Sequence, residues 1–277
     1  LPELLRQRAK PHRKPKPRPG ASTAVEDDLL LLLDTAALAA QPRWVEPRSF
    51  FRASQTGESC VRALTLSVAG HSPPVEPRVL RIFKTGNAIE EAIIESMRRA
   101  KVVLDIQVAI EFVEPPIKGS ADVVIEHGGE PQVVEIKSIN SRRWDRLPEP
   151  HGYVLAGRSA LRLTGHENYV CQTNTYMAGL KLGRGCVLFE HKDTQHQRVY
   201  WLEFDQELHQ EILERHHSAA LHLYTKTVAP TPSERDPRGK DQHCRWCNHR
   251  QLCLVMPADV AIPWETARRI DTEEISR

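Results

Sequence analysis

Apolar residues recur along this chain with two periods, and the switches between them mark its elements. Arg81 to Lys101 carries Ile82, Ile89, Ile93 and Met97 at helical spacing, which predicts a helix packed on one face. Asp105 to Val113 then alternates, placing Ile106, Val108, Ile110 and Phe112 on one side of a half-buried strand. Ala121 to Ile125 and Gln132 to Ile136 are short, β-branched and separated by His127-Gly128-Gly129-Glu130, so they fold back as a hairpin. Gly185 to Glu190 and Arg198 to Phe204 predict two further strands. Helices are expected over Thr23 to Ala40, Ser54 to Val68, Tyr169 to Lys181 and Glu207 to Val228, with His209, His216, His217 and His222 of the last on a solvated face. Pro42 to Arg52, the Pro73-Pro74 and Pro77 turn, the polar stretch Ser138 to Leu161 and the Pro-rich Pro230 to Lys240 connect them. Strands interleaved with helices predict an α/β protein, a small mixed central sheet flanked by helices.

At 277 residues the chain is long enough for a substantial core, and its ordinary composition is that of a soluble globular protein with one main domain and appendages. The net charge of +2 is uninformative as a total, but its distribution is not. Leu1 to Gly20 holds seven Lys/Arg, one Glu and five Pro, so residues 1–22 are expected as a disordered basic arm. Leu29 to Leu33 and Ala36 to Ala40 follow Glu26, Asp27 and Asp28 and are split by Asp34. That pattern is not an export signal and is too short to cross a bilayer, so no membrane contact and a cytoplasmic location are expected. The organisation that follows is an N-terminal helical region at 23–101, a core at 102–228, a linker and cysteine segment at 229–253 and a tail at 254–277.

The hairpin brings Asp122 near Glu135. Side chains two apart on a strand share a face, so Glu135 and Lys137 project together while Ile136 points into a core. Oxygen donors at that density suit Mg²⁺ or Mn²⁺, and a lysine beside them orients water or offsets charge on a phosphodiester. A Glu-x-Lys triplet arises roughly once by chance in a chain of this length, and a second is present, Glu190-His191-Lys192. It has no aspartate within the forty preceding residues to act as hairpin partner. In the polar stretch after Lys137, Arg142, Arg143 and Trp144 are candidates to meet phosphate and base. Gln172 and Tyr176 fall four apart on one helix face, where an amide and a phenol can also satisfy one another.

Cys244-Arg-Trp-Cys247 is followed after five residues by Cys253. Thiols packed that closely in a chain without an export signal point to metal rather than disulfides. A fourth ligand is needed, and Cys60, His249, His243, Cys171 and Cys186 are the candidates. Thiolates alone favour an iron-sulfur cluster or zinc, whereas a histidine would favour zinc.

Gly119-Ser-Ala-Asp122 followed by Glu135-Ile-Lys137 resembles the PD-(D/E)xK nuclease superfamily. Together with Cys60, the three later cysteines and Gln172-Thr-Asn-Thr-Tyr176, the chain from Ser54 to Cys253 is similar to the RecB-type exonucleases. Within them it resembles the CRISPR-associated (Cas) fourth-type exonuclease and its phage relatives. The resemblance implies a restriction-endonuclease-like core and a 4Fe-4S cluster on Cys60, Cys244, Cys247 and Cys253. It also implies metal-binding and catalytic roles for Asp122, Glu135 and Lys137, with the Ile136 carbonyl as a further ligand, and contact of Gln172 and Tyr176 with nucleic acid. Where the family carries a metal-binding histidine, this chain has Glu90, also able to ligate Mg²⁺ or Mn²⁺. Cys171 and Cys186 have no counterpart and are expected in the core. The activity implied is metal-dependent DNA exonuclease action on single-stranded ends, in the setting of CRISPR adaptation beside an integrase. A phage or recombination-repair nuclease, a cluster-stabilised DNA-binding subunit with an idle site, and a zinc-stapled adaptor are the alternatives.

Overall fold

The structure is a computed structural model that describes residues 24–150, 165–239 and 241–274. The expected basic arm at 1–22, the later part of the polar stretch (151–161) and Lys240 lie outside the described residues. Residues 1–40 and 41–277 are separate compact units. In the first, helix α1 (Ala24–Ala39) occupies the apolar run. Among the described residues no helix is long and apolar enough to cross a membrane.

In the second unit the expected architecture is the one observed, a mixed sheet with helices on both faces. Its strands are β1 (Phe51–Arg52), β2 (Val103–Phe112), β3 (Ile117–His127), β4 (Glu130–Ile139), β5 (Arg184–His191) and β6 (Gln197–Glu203). Their order is β1-β3-β4-β5-β6, with β2 on β3 as well. β4 and β5 run parallel, as do β1 and β3, whereas β2/β3, β3/β4 and β5/β6 are antiparallel. The hairpin turn is made at Gly128 and Gly129, whose φ values of +66° and +81° are readily adopted only without a Cβ.

One sheet face packs on α2 (Val61–Val68), α5 (Glu167–Leu180) and α6 (Gln206–Tyr224), burying Val133, Val187 and Phe189 against Leu64, Met177 and Ile212. The other takes α3 (Pro77–Arg99), whose Ile93 and Ile94 meet Val123, Val134, Ile136 and Leu188. Cys171 and Cys186 lie in these cores, as expected. A third cluster joins Leu66 of α2 to the C-terminal segment: α7 (Gln242–Trp246), α8 (Arg250–Val255) and α9 (Trp264–Glu274), with the small pair β7 (Thr227–Val228) and β8 (Ile262–Pro263).

Four expectations are corrected. The helix expected from Ser54 begins at Val61, with Cys60 at its N-cap. Ahead of it Gly57 abuts Asn168 at the start of α5, and a Cβ there would stand 2.5 Å from the Asn168 Cα, so tertiary contact holds this segment as a turn. The last long helix ends at Tyr224, because Thr227 and Val228 pair with Pro263 and Ile262. His209 and His216 are buried rather than solvated: His216 Nδ1 lies 2.8 Å from the Ile212 carbonyl, with its ring against Phe51. Finally, β2 does not keep one face inward throughout. Ile110 and Phe112 pack on the α5/α6 side, but Ile106 packs on the α3 side. The strand turns over at Gln107, a non-glycine residue at φ +51°.

Gly119, the first residue of the predicted motif, is required by close approach rather than by its backbone angle. A Cβ there would fall 2.5 Å from the Ala53 Cβ and 3.4 Å from the Tyr176 ring. Gly119→Ala is therefore expected to destabilise the fold by about 1–3 kcal/mol, read as a fall in melting temperature of a few degrees per kcal/mol.

Candidate active site

The β3/β4 ladder runs from His127/Glu130 to Val123/Val134 and then stops. One step further the strands part, and the Ile136 N–H donates to Asp122 Oδ2 at 2.8 Å. A carboxylate thus takes a backbone donor that a neighbouring strand would otherwise satisfy. On β4, Val133 and Ile139 face α5 while Val134 and Ile136 face α3, which puts Glu135 and Lys137 on the α5 side as the alternation requires. Lys137 Nζ contacts Glu135 Oε1 directly, lies 3.9 Å from Asp122 Oδ2 and stands 5.5 Å from the centre of the Tyr169 ring.

Glu135 is fully buried; its Oε1 is met by the Lys137 ammonium, and its Oε2 has no hydrogen-bond partner. Burial pushes its carboxyl up to about 8, with repulsion from Asp122 and Glu90 adding to the rise. Asp122 is raised by burial, and Glu90 by burial and by Asp122. Burial opposes the Lys137 ammonium, but Glu135 and Asp122 outweigh it and hold its pKa above the ordinary lysine range. Glu90 reaches this group from α3 and accepts from Gln107 Nε2 at 3.2 Å, while Ser120 Oγ donates to Gln107 Oε1 at the same distance. The turned-over residue of β2 therefore braces Glu90, which is where backbone strain is found when a site depends on it.

Among the described residues no set of three or more His, Cys, Asp or Glu is arranged as it stands to hold a metal ion; the Lys137 ammonium is drawn in among the carboxylates instead. Three carboxyl groups surround one ammonium, and Glu135 Oε2 has no hydrogen-bond partner, so the oxygen donors fit Mg²⁺ or Mn²⁺, whose charge would favour their ionised forms.

The site opens on a cleft of about 830 Å³ whose lining includes Glu90, Lys137, Tyr169 and Gln172. Gln172 Nε2 donates to the Tyr176 hydroxyl at 2.9 Å, and Tyr176, 3 % exposed, lies behind it. Of the other candidates, Arg143 lines the cleft. Trp144 is engaged elsewhere, its ring 4.6 Å beneath the Arg198 guanidinium and edge-on to His191. Tyr169 and Gln107 are site residues that the sequence pattern did not single out. Tyr169 stands three residues before Gln172 on the same helical face, so the spacing that relates Gln172 to Tyr176 extends to it. Nothing in the pattern marks Gln107.

Cys60, Cys244, Cys247 and Cys253 line one small cavity together with Arg62, Arg235 and His243. Of the other candidate ligands, His243 shares the cavity but has its Nε2 2.8 Å from Glu58 Oε1, His249 Nδ1 lies 2.7 Å from His71 Nδ1, and Cys171 and Cys186 sit in the sheet cores. Burial raises all four cavity thiols, Cys244 to about 11 and Cys247 to about 12. Uncharged thiols have no reason to converge on a centre, whereas an ion or cluster that deprotonates them would draw them in. Arg62, buried with an Nε that has no hydrogen-bond partner, offsets the charge such thiolates would carry. The donor set fits thiolate-ligated metal.

No family model matches the chain, and no curated protein matches it. Twenty-five solved chains do. An alkaline exonuclease from Laribacter hongkongensis is 16 % identical at a TM-score of 0.43, over 69 % of this chain and 93 % of that one. The same exonuclease in complex with dAMP gives 16 % and 0.43 over 70 % and 93 %. The crystal structure of SSO0001 is 14 % identical at a TM-score of 0.41, over 84 % and 98 %. These are remote likenesses of shape.

Proposed function

We propose that the chain is a divalent-cation-dependent DNA nuclease with a restriction-endonuclease-like core, acting exonucleolytically on single-stranded ends. The observation that supports this best is the carboxylate trio Glu90, Asp122 and Glu135 gathered on one ammonium at the wall of an open cleft. Asp122 and Glu135, with Glu90 and the Ile136 carbonyl, would hold Mg²⁺ or Mn²⁺; such an ion, when bound, supplies Lewis acidity at the scissile phosphate. Lys137, fixed by Glu135 and Asp122, orients the attacking water and offsets charge that builds on the phosphate oxygens. Gln172 meets the strand at the cleft, and Tyr176 holds the Gln172 amide from behind.

Cys60, Cys244, Cys247 and Cys253 would hold a 4Fe-4S cluster that ties α2 to the C-terminal helices. Pairs already crossing that junction keep the Cys60 loop in place: Arg235 Nη2 donates to Ser59 Oγ at 2.6 Å and Arg62 Nη2 to the Pro257 carbonyl at 2.9 Å. The biological setting proposed is trimming of DNA ends before their insertion beside a CRISPR integrase.

The test is incubation of anaerobically purified protein with end-labelled single strands, with Mg²⁺ or Mn²⁺ and with chelator. Stepwise shortening that needs the ion is expected; binding without cleavage at any ion concentration would overturn the assignment. Glu135→Gln gives an independent check. A fully buried carboxyl group whose only partner is the Lys137 ammonium, with one oxygen left without a donor, is costly to keep in the fold. Glu135→Gln is expected to melt in chelator no more than about 3 °C below the parent, or above it, while losing cleavage and the stabilisation that added Mn²⁺ confers.

A further inference from the structure

Glu90 and Lys137 bring the carboxylate group to the cleft, and the rest of the lining has a different composition. From α3 come Val79, Ile82 and Phe83. Phe83 is 55 % exposed and makes no ring contact among the described residues. From other elements come Arg143 of α4 (Ser141–Trp144) and Lys192, just past β5. Neither cation forms an ion pair among the described residues. Burial and the nearby Arg143 charge depress the Lys192 ammonium, with Asp193 opposing them. Two cations thus face the same cleft, beside Asp193, whose Oδ2 accepts from Ser141 Oγ.

Several interactions keep them there. The Asn140 side chain caps α4 by accepting from the Arg143 N–H at 3.0 Å, and Ser141 Oγ donates to Asp193 Oδ2 at 2.7 Å. The Lys192 N–H donates to the Ile139 carbonyl at 2.9 Å. Trp144 beneath Arg198 anchors the short helix from the other side. The second Glu-x-Lys triplet, which has no hairpin partner, thereby places its lysine on the same cleft as the first. In the parallel β4/β5 pair Lys137 lies beside Phe189, and Lys192 follows three residues later, just past the end of β5. Lys137 is held by Glu135 and Asp122, whereas Lys192 has no ion pair among the described residues.

We propose that Phe83, Arg143 and Lys192 form a single-strand subsite, in which one base stacks on Phe83 and the phosphate of a neighbouring nucleotide lies between Arg143 and Lys192. As a part of the cleavage cleft the subsite rests on the nuclease assignment, and it defines the substrate class: an unpaired strand offers free base faces to an exposed aromatic ring, whereas a duplex keeps them stacked. A guanidinium beside an ammonium is a phosphate-binding pair.

The test is anisotropy of a short labelled strand titrated in chelator, where nothing is cleaved, across a range of salt. Replacing both cations (Arg143→Gln with Lys192→Gln) is expected to reduce the slope of log affinity against log salt by about 0.7 for each phosphate that is no longer neutralised. Phe83→Ala is expected to weaken single-strand binding about fivefold or more with an unchanged slope, and to leave duplex binding unaltered. Phe83→Trp and Lys192→Arg should retain parent behaviour. An equal fall in affinity on strands with and without a terminal phosphate assigns the site to an internal diester, and a fall confined to the phosphorylated strand assigns it to a terminal monoester. Unchanged slope and affinity in variants that melt like the parent would overturn the subsite. A protein that binds through these residues but never cleaves would keep the subsite and refute the nuclease; one that cleaves with both variants binding normally would do the reverse.

Discussion

Lys137→Ala is expected to slow strand cleavage by about 10²-fold or more while leaving strand affinity within a few fold of the parent. The ammonium lies at the junction of all the site's charges: it contacts Glu135, stands 3.9 Å from Asp122 and packs over Tyr169. Its removal takes away the ammonium proposed to meet charge that develops on the phosphate, but none of the groups that line the rest of the cleft. The fold is expected to survive, because burial already raises the Glu135 carboxyl to about 8 with the lysine present. Without Lys137 that carboxyl rises further and stays protonated at neutral pH in metal-free solution, so no uncompensated charge is left inside. Single-turnover cleavage of a labelled strand, beside anisotropy and a melting curve on the same sample, separates the cases. Lys137→Met, which keeps the aliphatic stem over Tyr169, should fail in the same way. A variant that cleaves at the parent rate would remove Lys137 from the reaction and leave the carboxylates without their proposed use.

The parts of the site that are legible in the sequence are those set by local rules. Paired glycines, β-branched runs and strand alternation place Asp122, Glu135 and Lys137 together, and nothing distant has to be known. The cysteine spacing is likewise local for three thiols; the fourth is not, and only the packing of α2 on the C-terminal segment brings Cys60 to the same cavity. What is not legible depends on tertiary contact. Gln107 adopts a left-handed conformation in mid-strand without glycine's freedom, so no alternation rule anticipates the reversal of β2 beneath Glu90. Gly57 is compatible with a continuing helix until Asn168 lies against it. His216 reads as polar in a helical pattern, yet the Ile212 carbonyl and the Phe51 ring complete its surroundings. Trp144 and Phe83 depart from the pattern in opposite ways: the arginine that occupies the tryptophan comes from β6, and an exposed phenylalanine on α3 has no periodic signature of function.

Cys60→Ala is expected to abolish the brown colour of anaerobically purified protein and to lower its melting temperature by about 10 °C or more, since thiolate metal sites contribute on the order of 10 kcal/mol. The position matters more than the residue type. Cys244, Cys247 and Cys253 lie within one short segment, so a metal held by them and a local histidine would staple only that segment. Closure by Cys60 would join it to α2 across nearly two hundred residues of chain and would remove the entropy of that long loop from the unfolded state. The polar contacts beside it are too few to replace it: Glu58 with His243, Ser59 with Arg235, and Arg62 with Thr231 and Pro257. With Cys60 gone, proteolysis is expected to cut first between Pro230 and Gly239, and the sheet to outlast the C-terminal segment. His249→Ala, by contrast, should keep metal and colour, because the His249 ring lies against His71 and not in the cysteine cavity. Full iron content and parent melting in Cys60→Ala, with loss of metal in His249→Ala, would show that the segment closes its own site and that α2 is held by packing alone.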